Sequence, residues 1–227
     1  MKKIVVLTGA GMSAESGLKT FRDSDGLWEN HNVYDVATPE AWERDPEMVL
    51  KFYNERRKQV RDAKPNKAHV ALGKLEKKYD VHIITQNIDD LHERGGSTQV
   101  IHLHGEINKV RSTVDPSVIY DLDHWEMKMG ESCEKGSQLR PHIVWFGESV
   151  PMIEKAIPIV EMADRLIVIG TSLAVYPAAG LLNYATSSSQ KYYIDPKGFG
   201  DDNQYQFEII KETAGVGVPR LVDQLLQ

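Results

Sequence analysis

Three short apolar runs, residues 4–7, 81–84 and 166–169, each stop at a glycine or a polar turn. Runs of that length without polar alternation belong to strands buried on both faces, and such strands occur in parallel sheets covered by helices on either side. The chain is therefore expected to be an α/β protein with a parallel sheet. Residues 192–194 and 207–210 supply later strands, and 218–226 a short closing helix. In open sheets of this kind ligands sit beyond the carboxyl ends of the strands. The polar groups that follow each run are thus the first place to look for function.

The first run leads directly into Thr8-Gly9-Ala10-Gly11-Met12-Ser13-Ala14, a G-x-G-x-x-A pattern. Gly9 suits a tight turn, Gly11 lets backbone approach a pyrophosphate, and Ala14 allows a helix to pack closely beneath anion-binding amides. A dehydrogenase would continue with a helix, a second strand and an acidic ribose ligand about 20 residues on. Residues 16–23 form a polar loop instead, which counts against hydride transfer. Gly170-Thr171-Ser172 repeats the strand and glycine-turn theme at the end of the third run.

Two more segments carry chemistry. Val100, Ile101 and Leu103 form a strand that ends in His104-Gly105, and His104 is either a strand cap or an imidazole reaching into a cleft. Gln86-Asn87-Ile88-Asp89 follows the second run, with Asn87 and Asp89 readable as turn formers or as ligands of a nucleotide. His82, His92 and His102 are read as structural or exposed rather than chemical.

Between these segments the text changes. Residues 25–64 contain helical patterns without a buried strand, and residues 107–141 lack a hydrophobic period, so both are expected to be insertions forming a small lobe. The large lobe then comprises 1–24, 65–106 and 142–227, with 142–146 resuming as a strand after the second insertion. Trp125, Met127 and Met129 are the expected local packing of that insertion. One helix of the first is well marked: Asp45 is a good N-cap, Pro46 suits the first turn, and Val49, Phe52, Tyr53, Arg56 and Val60 share a face. Lys51, Arg57, Lys58 and Arg61 read as its solvated side. Arg56 on the apolar face either pairs with a neighbour such as Glu55 or serves a ligand.

A net charge of −6 and a pI near 5.8 argue against nucleic acid, which needs clustered cations. The single cysteine, Cys133, rules out an intramolecular disulfide and suits a reducing compartment. The apolar run after Met1-Lys2-Lys3 is too short for a signal peptide core, and no run approaches a membrane span, so the expected location is cytoplasmic.

Taken together, the stretches GAGMSAESGL (9–18), TFRD (20–23), TQNIDDLHERGG (85–96), HLHGE (102–106), PHIVWFGE (141–148) and GTSLAVYPAAG (170–180) resemble the sirtuins, a family of NAD-dependent protein lysine deacylases. The resemblance implies one catalytic domain, a Rossmann-type parallel-sheet large lobe with a smaller lobe formed by two insertions, in which NAD, consumed as a co-substrate, lies in a cleft between the lobes. It places NAD along Gly9, Ala10, Gly11, Glu15, Phe21, Arg22, Gln86, Gly170, Thr171, Ser172, Asp195 and Ala214, with Asn87 and Asp89 at its nicotinamide end. It places the acyl-lysine against Val144, Phe146 and Gly147. In sirtuin chemistry the acyl oxygen displaces nicotinamide, and His104 would be the general base on a ribose hydroxyl that then takes the acyl group. A free imidazole pKa of about 6.5 suits that role.

Two departures from the family pattern carry weight. Sirtuins commonly hold a structural zinc with two cysteine pairs, whereas here only Cys133 remains, Ser112 stands where a first cysteine is expected, and adding His124 leaves too few ligands. No zinc is therefore expected. Leu18-Lys19-Thr20 lacks a proline that many members carry and resembles the branch that removes acidic acyl groups. The same branch is recognised by Tyr-x-x-Arg, here Tyr53 and Arg56. Expected partners are acyl-lysine proteins or peptides, with neither nucleic acid nor membrane, and nothing calls for more than a monomer. Protein ADP-ribosyl transfer on the same fold and non-catalytic NAD sensing are the alternatives; His104 counts against the first, and Asn87, Asp89 and His104 against the second.

Overall fold

The computed structural model describes residues 1–19, 27, 28, 31–200 and 203–227. Its strands and helices in chain order are β1 (Lys3–Thr8), β2 (Leu27–Trp28), β3 (His31–Asn32), α1 (Val33–Val36), α2 (Pro39–Arg44), α3 (Pro46–Asp62), α4 (Lys67–Leu75), β4 (Asp80–Thr85), α5 (Leu91–Arg94), β5 (Val100–His102), β6 (Gly105–Ser112), β7 (Ile119–Asp121), β8 (Leu139–Ile143), α6 (Ile153–Glu161), β9 (Arg165–Ile169), β10 (Gln190–Ile194), β11 (Glu208–Ile210) and α7 (Ala214–Leu226).

Six strands form a parallel sheet in the order β11-β10-β9-β1-β4-β5. Alternate residues of β1 enter opposite cores, which explains its continuous apolar sequence. Ile4 and Val6 pack with Leu72 and Leu75 of α4 and Val218, Leu221 and Val222 of α7. Val5 and Leu7 pack with Ala156 and Val160 of α6 and with Leu181 and Leu182 of a 3-10 segment. Because β1 lies between β4 and β9, the chain leaves it toward one side of the sheet and returns on the other. The carboxyl end of β1 is therefore the switch point where such sheets open a crevice.

A second, antiparallel sheet has the order β7-β6-β8, and α3 lies against it. Asp45 caps α3 by accepting from the Met48 amide at 2.9 Å, and Pro46 fills the first turn, where its missing N–H costs nothing. Val49, Phe52, Tyr53 and Val60 of α3 meet Ile107, Ile143 and Trp145, while Leu50 joins Val110, Leu122 and Met127.

Several expectations are corrected here. The strand expected at 142–146 is Leu139–Ile143, and it pairs with β6 rather than with the parallel sheet. Its apolar sequel is instead fastened by two amides, Val144 to the His104 carbonyl and Phe146 to the Ala37 carbonyl, both at 2.9 Å. Residues 107–141 hold strands despite lacking a period, because β6 changes register between Gly105 and Val110. Met127 is buried, whereas Trp125 and Met129 are exposed. Arg57, expected on the solvated side of α3, is fully buried: its guanidinium donates to the carbonyls of Ile107 and Trp125, each at 2.7 Å, and to Asn54 Oδ1 at 2.8 Å. The closing helix, α7, begins at Ala214 rather than at 218.

Beneath the β1 turn sit two buried histidines, His69 and His92, with ring centroids 5.0 Å apart. Burial pushes His69 down to about 4; burial, with the charges of His69 and His102, pushes His92 well below its ordinary value. An unfolded histidine titrates near 6.5, so protonation favours unfolding. The stability this neutral pair contributes is present above that pH and is lost as pH falls toward 4. For His69 alone the loss is about 3 kcal/mol. Urea midpoints at pH 7 and pH 4.5 check this, and His69→Gln should show a smaller acid-dependent fall.

Candidate active site

At the carboxyl end of β1 the chain turns through Gly9 and Gly11 across the end of β9. A Cβ on Gly9 would lie 2.7 Å from the Thr171 side chain, and one on Gly11 would lie 2.7 Å from Gly170 Cα. Both glycines are therefore required by the crossing of two loops, not only by approach to a ligand. The helix that a dehydrogenase would carry here does not follow directly: residues Ala10–Met12 and Ala14–Ser16 are single 3-10 turns, and Gly17 at φ 87° ends the second. The loop after β9 likewise reaches only a 3-10 segment, Ala178–Tyr184. The floor is thus made of turn amides rather than of a helix terminus.

These loops border a cleft of about 430 Å³. Gly9, Ala10, Gly11 and Glu15 line it from the β1 side, and Gly170, Thr171 and Ser172 from the β9 side. Asp195 follows β10 and Ala214 opens α7, and both reach the same wall. Glu15 also braces the fold, because its carboxylate accepts from the Gly215 amide at 2.6 Å and the Thr213 hydroxyl at 3.1 Å, at the start of α7. Phe21 and Arg22 lie outside the described residues.

After β4, Gln86, Asn87 and Asp89 enter the cleft. Gln86 Nε2 donates to Thr171 Oγ1 at 3.1 Å, tying the loops of β4 and β9 together. Ser13, which the sequence pattern alone does not single out, joins the other two: its hydroxyl accepts from Asn87 Nδ2 at 3.2 Å and donates to Asp89 Oδ2 at 3.0 Å. Its position inside the glycine motif is the one signal that could have found it. Asp89 is buried, which pushes its carboxyl up, while the Ser13 hydroxyl and the Leu91 amide oppose that shift.

His104 sits in the turn between β5 and β6 and lines the cleft. Its Nδ1 lies 3.0 Å from the Gln86 carbonyl oxygen. A carbonyl can only accept, so Nδ1 carries the proton and Nε2 is the basic nitrogen. Burial lowers the pKa below the ordinary imidazole value, with the Gln86 bond acting in the opposite direction. A neutral ring with one free lone pair is what a general base requires.

The far wall is Val144, Phe146 and Gly147, with Tyr53 and Arg56 of α3 beside them. Trp145 between them is buried; its indole donates to the Tyr53 hydroxyl at 3.0 Å, and the Arg140 guanidinium stacks on its ring 3.5 Å from the centroid. Burial drives the Tyr53 phenol well above its usual range, so it stays protonated. Glu148 braces this wall, accepting from Arg140, from Arg111 and from the Trp145 amide. The Arg56 guanidinium is buried and bonds Gln59 Oε1 at 3.3 Å and the Lys19 carbonyl at 3.4 Å.

Around Ser112, where the family resemblance leads a cysteine to be expected, the structure holds a different cluster. Ser137 Oγ lies 2.7 Å from Ser112 Oγ and 3.0 Å from Cys133 Sγ, and Ser112 also accepts from the amides of Val114 and Asp115. Among the described residues no three His, Cys, Asp or Glu side chains group as metal ligands would. Two hydroxyls and one thiol do not fit a closed zinc site.

The Sir2 family model matches residues 9–177. An NAD-dependent protein deacylase of Bacteroides thetaiotaomicron is 52% identical over 231 residues, covering 100% of this chain and 99% of its own. One of Helicobacter pylori is 51% identical over 229 residues, with the same coverages. Among solved structures, a Sir2 homolog–NAD complex has a TM-score of 0.89 at 40% identity, covering 99% of this chain and 90% of the other. A Sir2–p53 peptide–NAD+ complex has a TM-score of 0.81 at 32% identity, covering 97% and 92%. With the glycine loops, Asn87, Asp89 and His104 gathered in one cleft, the chain belongs to the Sir2 family.

Proposed function

We propose that the cleft removes acyl groups from protein lysines at the expense of NAD, and that it accepts acyl chains ending in a carboxylate as well as acetyl. The NAD-dependent deacylase activity is that of the relatives matched over the full chain. NAD, when bound, supplies an anomeric carbon from which nicotinamide leaves. The residues present fit it: two glycine loops cross without side chains, which keeps a backbone-lined floor open between β1 and β9. Asn87 and Asp89, cross-linked by Ser13, hold its nicotinamide end. His104 would take the proton of a ribose hydroxyl on Nε2; with one water consumed to release the lysine amine, the products would be nicotinamide, free lysine and O-acyl-ADP-ribose.

The observation that carries the acidic-acyl reading is Arg56. It lies in the same cleft as the lysine-channel residues Val144, Phe146 and Gly147, with Tyr53 three residues before it on one face of α3. A buried guanidinium there can take a carboxylate bidentately. The Tyr53 hydroxyl accepts from Trp145 at 3.0 Å, and a phenol that accepts one bond can also donate to a carboxylate. A charge-assisted bond contributes roughly 1.5 to 3 kcal/mol, about a ten- to hundredfold preference. Arg56→Met is therefore expected to lower kcat/KM for a succinyl-lysine peptide by that factor and for the acetyl peptide by less than about threefold. Equal losses on both peptides would show that Arg56 supports the fold and that the acidic-acyl reading is wrong.

We also read the small lobe as folding without metal, held by Leu50, Val110, Leu122 and Met127, by the Arg57 bonds and by the Ser112-Ser137-Cys133 contacts. A chelator should then change neither the Tm nor the deacylation rate. Stoichiometric zinc in the purified protein, with a large fall in Tm on chelation, would contradict this. Substrates on this reading are acylated proteins of the cytoplasm.

A further inference from the structure

His102 has no part in the chemistry above, yet its ring is held at both nitrogens. It is buried, with Nδ1 3.0 Å from the Asn87 carbonyl oxygen and Nε2 2.7 Å from Glu93 Oε1. A carbonyl and a carboxylate are both acceptors, so each ring nitrogen must carry a proton and the ring is an imidazolium. The neighbouring carbonyl, that of Gln86, is held in the same way by His104 Nδ1. Alternate residues at one strand end thus hold consecutive carbonyls of the loop that presents Asn87. The tie continues behind the loop: Glu93 belongs to α5, whose first amide, Leu91, is taken by Asp89 at 3.2 Å. The Asn87 side chain, fixed at its own carbonyl, then reaches Ser13 in the cleft.

We infer that the Glu93–His102 pair is a positioning device that fixes the Asn87 carbonyl and so aims the Asn87 side chain into the NAD cleft. The inference rests on Asn87 serving the nicotinamide end. It has a pH signature. Burial opposes the charge on His102, but the bond to Glu93 and its negative charge outweigh it and raise the pKa above the ordinary value. Glu93 is in turn pulled down by His102, against its own burial. The other groups facing the ring are Glu106 of β6, which favours the charge, Lys109 of β6, which pairs with Glu106 and is felt by Glu93, Asp89 of the loop, and the neutral His92 of α5. As pH rises through the raised pKa the ring must surrender a proton. Lost from Nδ1, it leaves a lone pair facing the Asn87 carbonyl; lost from Nε2, it leaves one facing Glu93. Either way the clamp weakens, so activity should fall on the alkaline side for a reason separate from His104.

Glu93→Gln separates the clamp from the charge, because a carboxamide can donate to Nε2 of a neutral ring whose Nδ1–H still serves Asn87. His102→Asn keeps a donor near the Nδ1 position without the Glu93 tie, and His102→Leu removes both. The experiment measures kcat, KM for NAD and nicotinamide exchange from pH 6 to 10, with Tm, for the wild type, these three variants and Asn87→Ala. His102→Leu is expected to lose about thirtyfold in kcat and in exchange, the scale of a misaimed group, while His102→Asn and Glu93→Gln stay within about fivefold at pH 7. In Glu93→Gln the ring is neutral, because the charge that raised its pKa is gone, and it stays held at both nitrogens, so the alkaline fall of the wild type should be absent from this variant's profile. Should His102→Leu misfold, that limb decides, since the Glu93 side chain is 41% exposed and the change is isosteric. A limb that superimposes on the wild type's, or a folded His102→Leu with near wild-type kcat beside an inactive Asn87→Ala, overturns the inference alone. A near wild-type Asn87→Ala overturns the assignment of Asn87 and the inference with it.

Discussion

His104→Ala should lower kcat/KM for deacylation by about a thousandfold, the middle of the range for loss of a positioned general base. The ring lines the cleft, its Nδ1 is committed to the Gln86 carbonyl, and only Nε2 remains to take a proton. NAD affinity should change little, because the loops of β1, β9 and β10 that border the rest of the cleft do not depend on this side chain. Binding by calorimetry and steady-state kinetics on one preparation check the two statements. The wild-type acid limb carries the same signature. Base function needs neutral His104, so activity is present above its pKa and lost as pH falls through it. Burial places that limb below the 6.5 of a free imidazole.

The residue after it is expected to give the largest stability effect. Gly105 has φ 84°, and a Cβ there would lie 2.0 Å from the His142 carbonyl oxygen and 2.9 Å from its carbon. Those are backbone atoms of the strand that Gly105 pairs with, since it stands opposite Ile143 in the β6–β8 ladder. Neither side can yield without parting the ladder beside His104. Gly105→Ala should therefore cost about 4 kcal/mol, at the exceptional end for one substitution, and lower Tm by on the order of 10 °C. Gly136→Ala isolates the two contributions: Gly136 has φ 76° but nothing within 4 Å of the added Cβ, so only the left-handed strain of about 1 to 2 kcal/mol applies. Thermal melts of both variants test the difference.

Much of the parallel sheet was legible because burial on both faces writes an unbroken apolar run, as in β1 and β9, and because each run stops at the switch-point edge. The long helix α3 was legible from its Asp45 cap and Pro46. The small sheet was not. The apolar positions of β6 are interrupted by a register change, and residues 144–146 are apolar because they wall the cleft and fill the small core, not because they form a strand. Arg57 was misread for a similar reason: its charge is compensated by acceptors at 107 and 125, far along the chain, which helix periodicity cannot see. The roles of Gly9 and Gly11 were half legible, since a glycine pattern announces close approach without saying that the neighbour is another loop. Ser13 was overlooked because it meets a second residue, Asn87, rather than standing in a motif of its own, and the buried His102, read as structural or exposed, touches the carbonyl of the same residue.

The most direct test of His104 as base in a NAD-consuming deacylation is a single-turnover measurement. Enzyme, NAD and an acyl-lysine peptide are mixed and quenched, and nicotinamide, free-lysine peptide and O-acyl-ADP-ribose are quantified by mass spectrometry, with labelled nicotinamide added to follow exchange. The wild type should form the three products in equal amounts. His104→Ala should exchange nicotinamide while forming almost no O-acyl-ADP-ribose. Near wild-type formation of that product by the alanine variant, or deacylated peptide from the wild type without an equal amount of nicotinamide, would contradict it.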